Sequence, residues 1–229
     1  MLKSRIESNA FIDYELYHND FKSFTEATEN HLKNTNVFEI YWCTLIFKNW
    51  KEGINHIGYN ALDDIFDELH QDVNSSYYLA SMGLYRTSNM HLRSLIELAL
   101  QLLYFFDHHI ELEKWKHGDF VIKHDKLKDY LKDYPLFSTR ELKVQITNVV
   151  EQISKAWKDF SKHIHAESLI YFQTQKTSDS TNEFDLADFG KWESHFVKIV
   201  KRLNELFKLF FSEQYKLFPS TNRDLLFYE

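Results

Sequence analysis

Turn-forming residues are scarce in this chain. Five glycines and two prolines in 229 residues exclude an all-β fold, which needs turn residues roughly every ten positions. The single cysteine, Cys43, excludes an internal disulfide and points to a reducing compartment. The first residues, MLKSRIESNAFIDYE, contain no apolar signal-peptide core. The longest apolar run, Leu95 to Phe106, is interrupted by Glu97 and Gln101 and falls short of the roughly 20 residues of a membrane span. These absences predict a soluble, cytoplasmic protein with no membrane partner. Basic residues are outnumbered, 27 against 34 acidic, for a net charge of −7. That balance argues against a broad nucleic-acid surface but leaves room for a local basic cleft. A glycine-rich phosphate loop, a nucleophile elbow, a CxxC pair and an HExxH pair are all missing. Nucleotide hydrolysis, serine hydrolysis and zinc chemistry therefore have no signature here, and neither a cofactor nor a metal is called for.

What the chain does have is helical periodicity over long stretches. Residues 5–33 carry Ile12, Leu16 and Phe24 at helical spacing, and Asn34-Thr35-Asn36 breaks the pattern, with Asn36 a suitable cap. Residues 37–50 fit either a strand or a helix by periodicity, and their helical surroundings favour helix. Gly53 to Asn60 reads as a connection, followed by an amphipathic segment over 61–72. The organising stretch runs from Ser76, taken as its cap, to about Lys116, where Gly118 stops it. It is apolar most of the way round, as a helix in the middle of a bundle would be. A short helix is expected over 120–134, ending before Pro135. Ser138 and Glu141 form a capping-box pattern that opens a long helix to about Ser168. Residues 173–183 are polar and aperiodic, an exposed loop. A last helix begins near Asp188, with Phe189, Trp192, Phe196, Ile199, Leu203, Leu206 and Phe210 as its apolar stripe. That stripe packs within the bundle or across a dimer. The tail after Pro219 reads as irregular.

Charge inside an apolar helix needs a partner. Arg93 and Glu97 stand four residues apart and can pair on one face. Ser161 and His165 likewise share a face, and an antiparallel arrangement would bring them to Arg93 and Glu97. These four residues read in two ways: as a hydrogen-bonded network that fixes helix register, or as a site in which His165 is a general acid or base and Arg93 holds an anion. Two other groups read as solvated. Asp63/Asp67 and Asp64/Glu68 lack a histidine or cysteine at ligand spacing. His108 and His109 are adjacent on a helix and do not converge on one ligand.

The pattern LRSLIELALQLLYFFDHH (92–109), followed by FSKHIHAES (160–168), resembles the HEPN-like helical proteins of prokaryotic defence and toxin–antitoxin systems. The resemblance covers about residues 76–168. It implies an all-α bundle of four or five helices, often dimeric, many of whose members are metal-independent endoribonucleases while others are inactive binding modules. Active members carry arginine, a polar residue and then histidine four to six positions after the arginine. Arg86-Thr-Ser-Asn-Met-His91 has that spacing, mid-way along the central helix. Lys158-Asp-Phe-Ser-Lys-His163 has it too, with lysine in place of the arginine fork. His165 suits the longer spacing from Lys158.

The sequence thus predicts a single all-α domain over 1–229, a HEPN-like helical bundle with a core at about 61–218, a long central helix and a long C-terminal helix. The candidate site is Arg93, Glu97, Ser161, His165, Lys158 and His163, with Arg86 and His91 as a second motif. The resemblance implies RNA as substrate, a homodimer, and a partner protein from the same system. A catalytically inactive interaction module is the alternative, and a small-molecule or nucleotide sensor a third reading.

Overall fold

The computed structural model describes residues 37–135, 137, 139–165, 167–168 and 184–227, together with 26, 28–30 and 33. Among the described residues the chain is all-α, without strands. Its helices are α1 (Phe38–His56), α2 (Asp63–Ser81), α3 (Tyr85–Phe105), α4 (His109–Lys116), α5 (His124–Lys132), α6 (Arg140–His165), α7 (Leu186–Phe210), α8 (Ser212–Tyr215) and α9 (Ser220–Phe227). The expected helix over 5–33, the break at 34–36 and the polar loop over 173–183 lie outside the described residues.

The organising stretch is divided into three helices rather than one. Gly83 adopts a φ of 72°, which side-chain-bearing residues rarely take. With Gly83 in that conformation, the N–H of Leu84 reaches back to the carbonyl of Leu79 at 2.8 Å and closes α2 in a Schellman turn. Ser76 is therefore buried inside α2 rather than capping a helix. The second break follows Phe105. There the His108 imidazole Nδ1 lies 2.8 Å from the Tyr104 carbonyl, the group a continuing helix would offer to the His108 N–H. The two rings stack at 3.8 Å. Asp107 meanwhile accepts from the Tyr130 hydroxyl of α5 at 3.0 Å. These contacts turn the chain where it has neither glycine nor proline.

α2 and α3 form an antiparallel hairpin. Small residues let them approach closely: the Ser88 hydroxyl donates to the Ser76 carbonyl at 2.7 Å, and the two hydroxyls lie 2.9 Å apart. α3 then packs on α5, α6 and α7 as well, and α7 packs on α1, α3 and α6. All seven apolar residues of the α7 stripe are buried within this one chain. Thr139 caps α6, its hydroxyl accepting from the Leu142 N–H at 3.1 Å; Ser138, of the expected capping box, lies outside the described residues. Asp185 caps α7 by accepting from the Asp188 N–H at 2.8 Å.

Two other boundaries differ from expectation. α1 runs through Gly53 to His56, and the segment after Pro219 is a helix, α9. Trp50 of α1 donates to the Asn204 side-chain oxygen at 2.8 Å, and Asn204 donates to the Leu226 carbonyl at 2.9 Å. Trp42 donates to the Leu225 carbonyl at 2.8 Å. Long-range partners, invisible in a local pattern, thus hold α9 in place. Among the described residues no helix is long and apolar enough to cross a membrane.

Gly53 and Gly190 make opposite tests of this packing. A Cβ at Gly53 would lie 2.2 Å from the buried Phe218 ring, so Gly53→Ala should lower stability by about 1–3 kcal/mol through overpacking. A Cβ at Gly190 meets nothing within 4 Å, so Gly190→Ala in α7 should raise stability by about 0.5–1 kcal/mol. Urea denaturation of the two variants measures both.

Candidate functional site

α3 and α6 run antiparallel, and their register can be followed residue by residue. Arg86 meets the end of α6, Arg93 meets Ser161, and Glu97 meets Trp157. The stripe Ile146, Val149, Val150, Ile153 turns α6 inward, and the same face carries Trp157 and Ser161 to the α3 seam.

There the polar groups close on one another. The Arg93 guanidinium pairs with Glu97 at 2.9 Å, and its Nε donates to the Ser161 hydroxyl at 3.0 Å. It also lies over the Trp157 ring, 5.0 Å from the centroid. The indole N–H donates to the same Glu97 oxygen at 2.9 Å, and the Ser161 hydroxyl donates to the Trp157 carbonyl at 2.8 Å. Trp157 further stacks on His124 of α5, ring to ring at 4.2 Å and nearly parallel at 6°. His124 Nε2 lies 3.2 Å from the buried Ser154 hydroxyl. Burial pushes the His124 imidazole down to about 4, and the charges of Lys128, Arg93 and Lys158 act in the same direction against that of Asp125. At neutral pH the ring is uncharged. Ser161 directs its proton at a carbonyl, so the cluster does not hold an activated nucleophile.

The other predicted residues lie apart from this network. His165 is exposed at the end of α6, one turn beyond Ser161, whereas Arg93 bonds Ser161 and Glu97. At that level α3 instead sends up Arg86, whose Nε and Nη2 donate to the carbonyls of His163 at 2.9 Å and Ile164 at 3.2 Å. Arg86 thus caps α6 with a cation where the helix dipole favours one. His91 faces α2, its Nδ1 2.7 Å from the carboxylate of Asp72. Arg86 and His91 therefore engage different helices. Lys158 is exposed, close enough to influence both His124 and Glu151 electrostatically.

Lys51 bridges the acidic segment, 2.7 Å from Asp67 and 3.8 Å from Asp63. Among the described residues no three histidine, cysteine or acidic side chains are grouped to hold a metal. His109 and His117 line an open depression of about 520 Å³ beside Ile110 and Glu113.

Three residues of these sites are absent from the predicted set. Asp72 is only 3% exposed, and it interrupts the apolar stripe of Ile65, Leu69 and Val73 on α2. A carboxylate at that position is a legible signal of a buried partner. One of its oxygens, Oδ2, is buried without a hydrogen bond among the described residues. His124 falls three residues before Leu127 and seven before Leu131, on the buried face of α5. Trp157 is legible as an apolar residue, but its role as a donor to Glu97 depends on α3.

Two measurements separate the contributions. Trp157→Ala removes a packed ring and should cost about 3 kcal/mol, whereas Glu97→Gln, which weakens a half-exposed ion pair, should cost about 1 kcal/mol or less. For His124, the unfolded chain takes up the proton at the ordinary value of 6.5 and the folded protein only at about 4. Its contribution to stability is thus full above pH 6.5 and lost as pH falls toward 4. His124→Phe keeps the stack and removes the titration. It should flatten this acid slope by about 1–2 kcal/mol, the partly exposed ring keeping the effect below the full linkage value. Denaturant curves from pH 7 to 4 measure the difference.

Comparison with protein-family models, with curated proteins and with solved structures finds no match to this chain.

Proposed function

We propose that this chain is a HEPN-like helical protein of a prokaryotic defence or toxin–antitoxin system that acts as a catalytically silent protein-interaction module. The observation that carries this reading is the divergence of Arg86 and His91. Metal-independent cleavage of RNA needs a base at the ribose 2′-hydroxyl and a cation at the same phosphate. Here Arg86 donates to the carbonyls of His163 and Ile164, while His91 is turned toward Asp72 on another helix. Arg93 is similarly engaged with Glu97 and Ser161.

One observation favours a second reading, a metal-independent endoribonuclease. The buried Asp72 carboxylate holds His91 by Nδ1 at 2.7 Å, which leaves Nε2 as the nitrogen for a substrate. That is how a carboxylate orients a histidine for general-base work.

A cleavage assay decides between them. Wild type, His91→Ala and His165→Ala, each checked for helicity, are incubated with total RNA and tRNA in EDTA. The proposed function expects intact RNA in every tube. Cleavage by wild type that either substitution abolishes, with helicity retained, would establish the ribonuclease instead.

A further inference from the structure

α6 has two faces with different chemistry. Its inner face carries the apolar stripe and the Trp157–Ser161 contacts. Its outer face carries Glu151, Lys155, Lys158, Lys162 and His165 at spacings of three and four, one stripe along the helix. The basic part, Lys155 to His165, extends over about 15 Å at the rise of an α-helix. Lys155, Lys158 and His165 are exposed. Among the described residues Lys155 and Lys158 have no carboxylate within ion-pair distance, while Lys162 pairs with Asp159 at 2.8 Å.

The surrounding charge is uneven in the same sense. Residues 120–165 hold nine lysines and arginines against six acidic residues, whereas the rest of the chain holds 18 against 28. A net +3 region thus sits in a chain whose remainder is −10. Lys132 of α5 bonds Glu151 across the seam. Lys132, with Lys128 and Lys158 nearby, holds that carboxyl below its usual range. The carboxylate at the head of the stripe stays ionised, and its charge is offset by Lys132.

We infer that the outer face of α6, centred on Lys155 and Lys158, docks an acidic helix of a partner protein, one with carboxylates on successive turns. This rests on the reading of the chain as an interaction module. Three features favour a protein over RNA. The stripe is built of lysines, without the arginine forks that grip phosphate. The exposed large hydrophobic residue of α6 is Val144, not an aromatic ring on which bases could stack. Asp159 stands beside the lysines and repels a continuous polyanion more than a helix of mixed charge. Helix matches helix here, because both repeat their faces every three or four residues.

The test uses the full chain and three fluorescent probes in EDTA. One is a helical peptide of about 20 residues with glutamates at i, i+4, i+7 and i+11. The second is its scrambled isomer, and the third a single-stranded oligoribonucleotide. Anisotropy should report binding of the patterned peptide that weakens with salt and exceeds that of the isomer. The double variant Lys155→Glu/Lys158→Glu should bind it about tenfold or more weakly, and Lys114→Glu on α4 should bind as wild type does. Circular dichroism checks that both variants fold. Absence of peptide binding, equal binding of the isomer, indifference to the double substitution, or tighter binding of the intact oligoribonucleotide would each overturn the inference. Cleavage of the oligoribonucleotide would instead overturn the proposed function on which it rests.

Discussion

α3 is surrounded by α2, α5, α6 and α7, yet it carries Arg86, His91, Arg93 and Glu97. A polar group in such a place is costly unless a neighbour satisfies it. Each of the four finds its partner on an adjoining helix. α2 supplies the Asp72 carboxylate. α6 supplies the Trp157 indole, the Ser161 hydroxyl and the last carbonyls of the helix. One such bond contributes only about 1 kcal/mol net. A slip of α6 by one turn, about 5.4 Å, would break the bonds of Arg86, Arg93 and Glu97 to α6 together, and the losses would then include unpaired half-buried charge. Apolar packing supplies most of the adhesion between these helices, and the polar contacts select the register.

This division explains what could be read in the sequence. Helical periodicity comes from burying one face, a local property of the chain, so the long apolar stripes of α6 and α7 were legible. The pairing of Arg93 with Glu97 follows from a four-residue spacing. The antiparallel meeting of Arg93 with Ser161 needed only one further assumption, that the two helices are neighbours. The breaks were harder. Gly83 stops a helix because its backbone adopts a positive φ, and glycine within an apolar run does not announce whether it will. At His108 the chain turns through a side-chain contact with Tyr104 and the pull of Tyr130 on Asp107, which are tertiary facts. α9 is hidden from a local reading for the same reason: its carbonyls are held by Trp42 and Asn204 from distant segments.

The candidate site was legible as a set of residue types more than as an arrangement. Trp157 reads as one more apolar residue, and nothing local indicates that its N–H meets Glu97. His124 and Asp72 could have been found, since each sits at an apolar position of an otherwise regular stripe. His165 stands one turn beyond Ser161, but it is exposed where α6 ends, and the neighbouring α3 offers Arg86 to backbone carbonyls rather than a partner for the imidazole.

The arginine–histidine spacing has a geometric consequence of its own. Residues five apart on a regular α-helix differ by about 140° in direction, so Arg86 and His91 face different surroundings as long as α3 stays helical. Both lie within α3, and each side chain has an acceptor on its own side. For the two to address one phosphate, the helix would have to unwind near its first turns, or a second chain would have to supply one member of the pair. Unwinding would forfeit the cap on α6 and the partner of a carboxylate that is 3% exposed. The polar groups of α3 are thus committed to holding helices in place, whereas Lys155 and Lys158 on the outer face of α6 are not. A function based on binding can use such an outward face without disturbing the register that the inner face maintains.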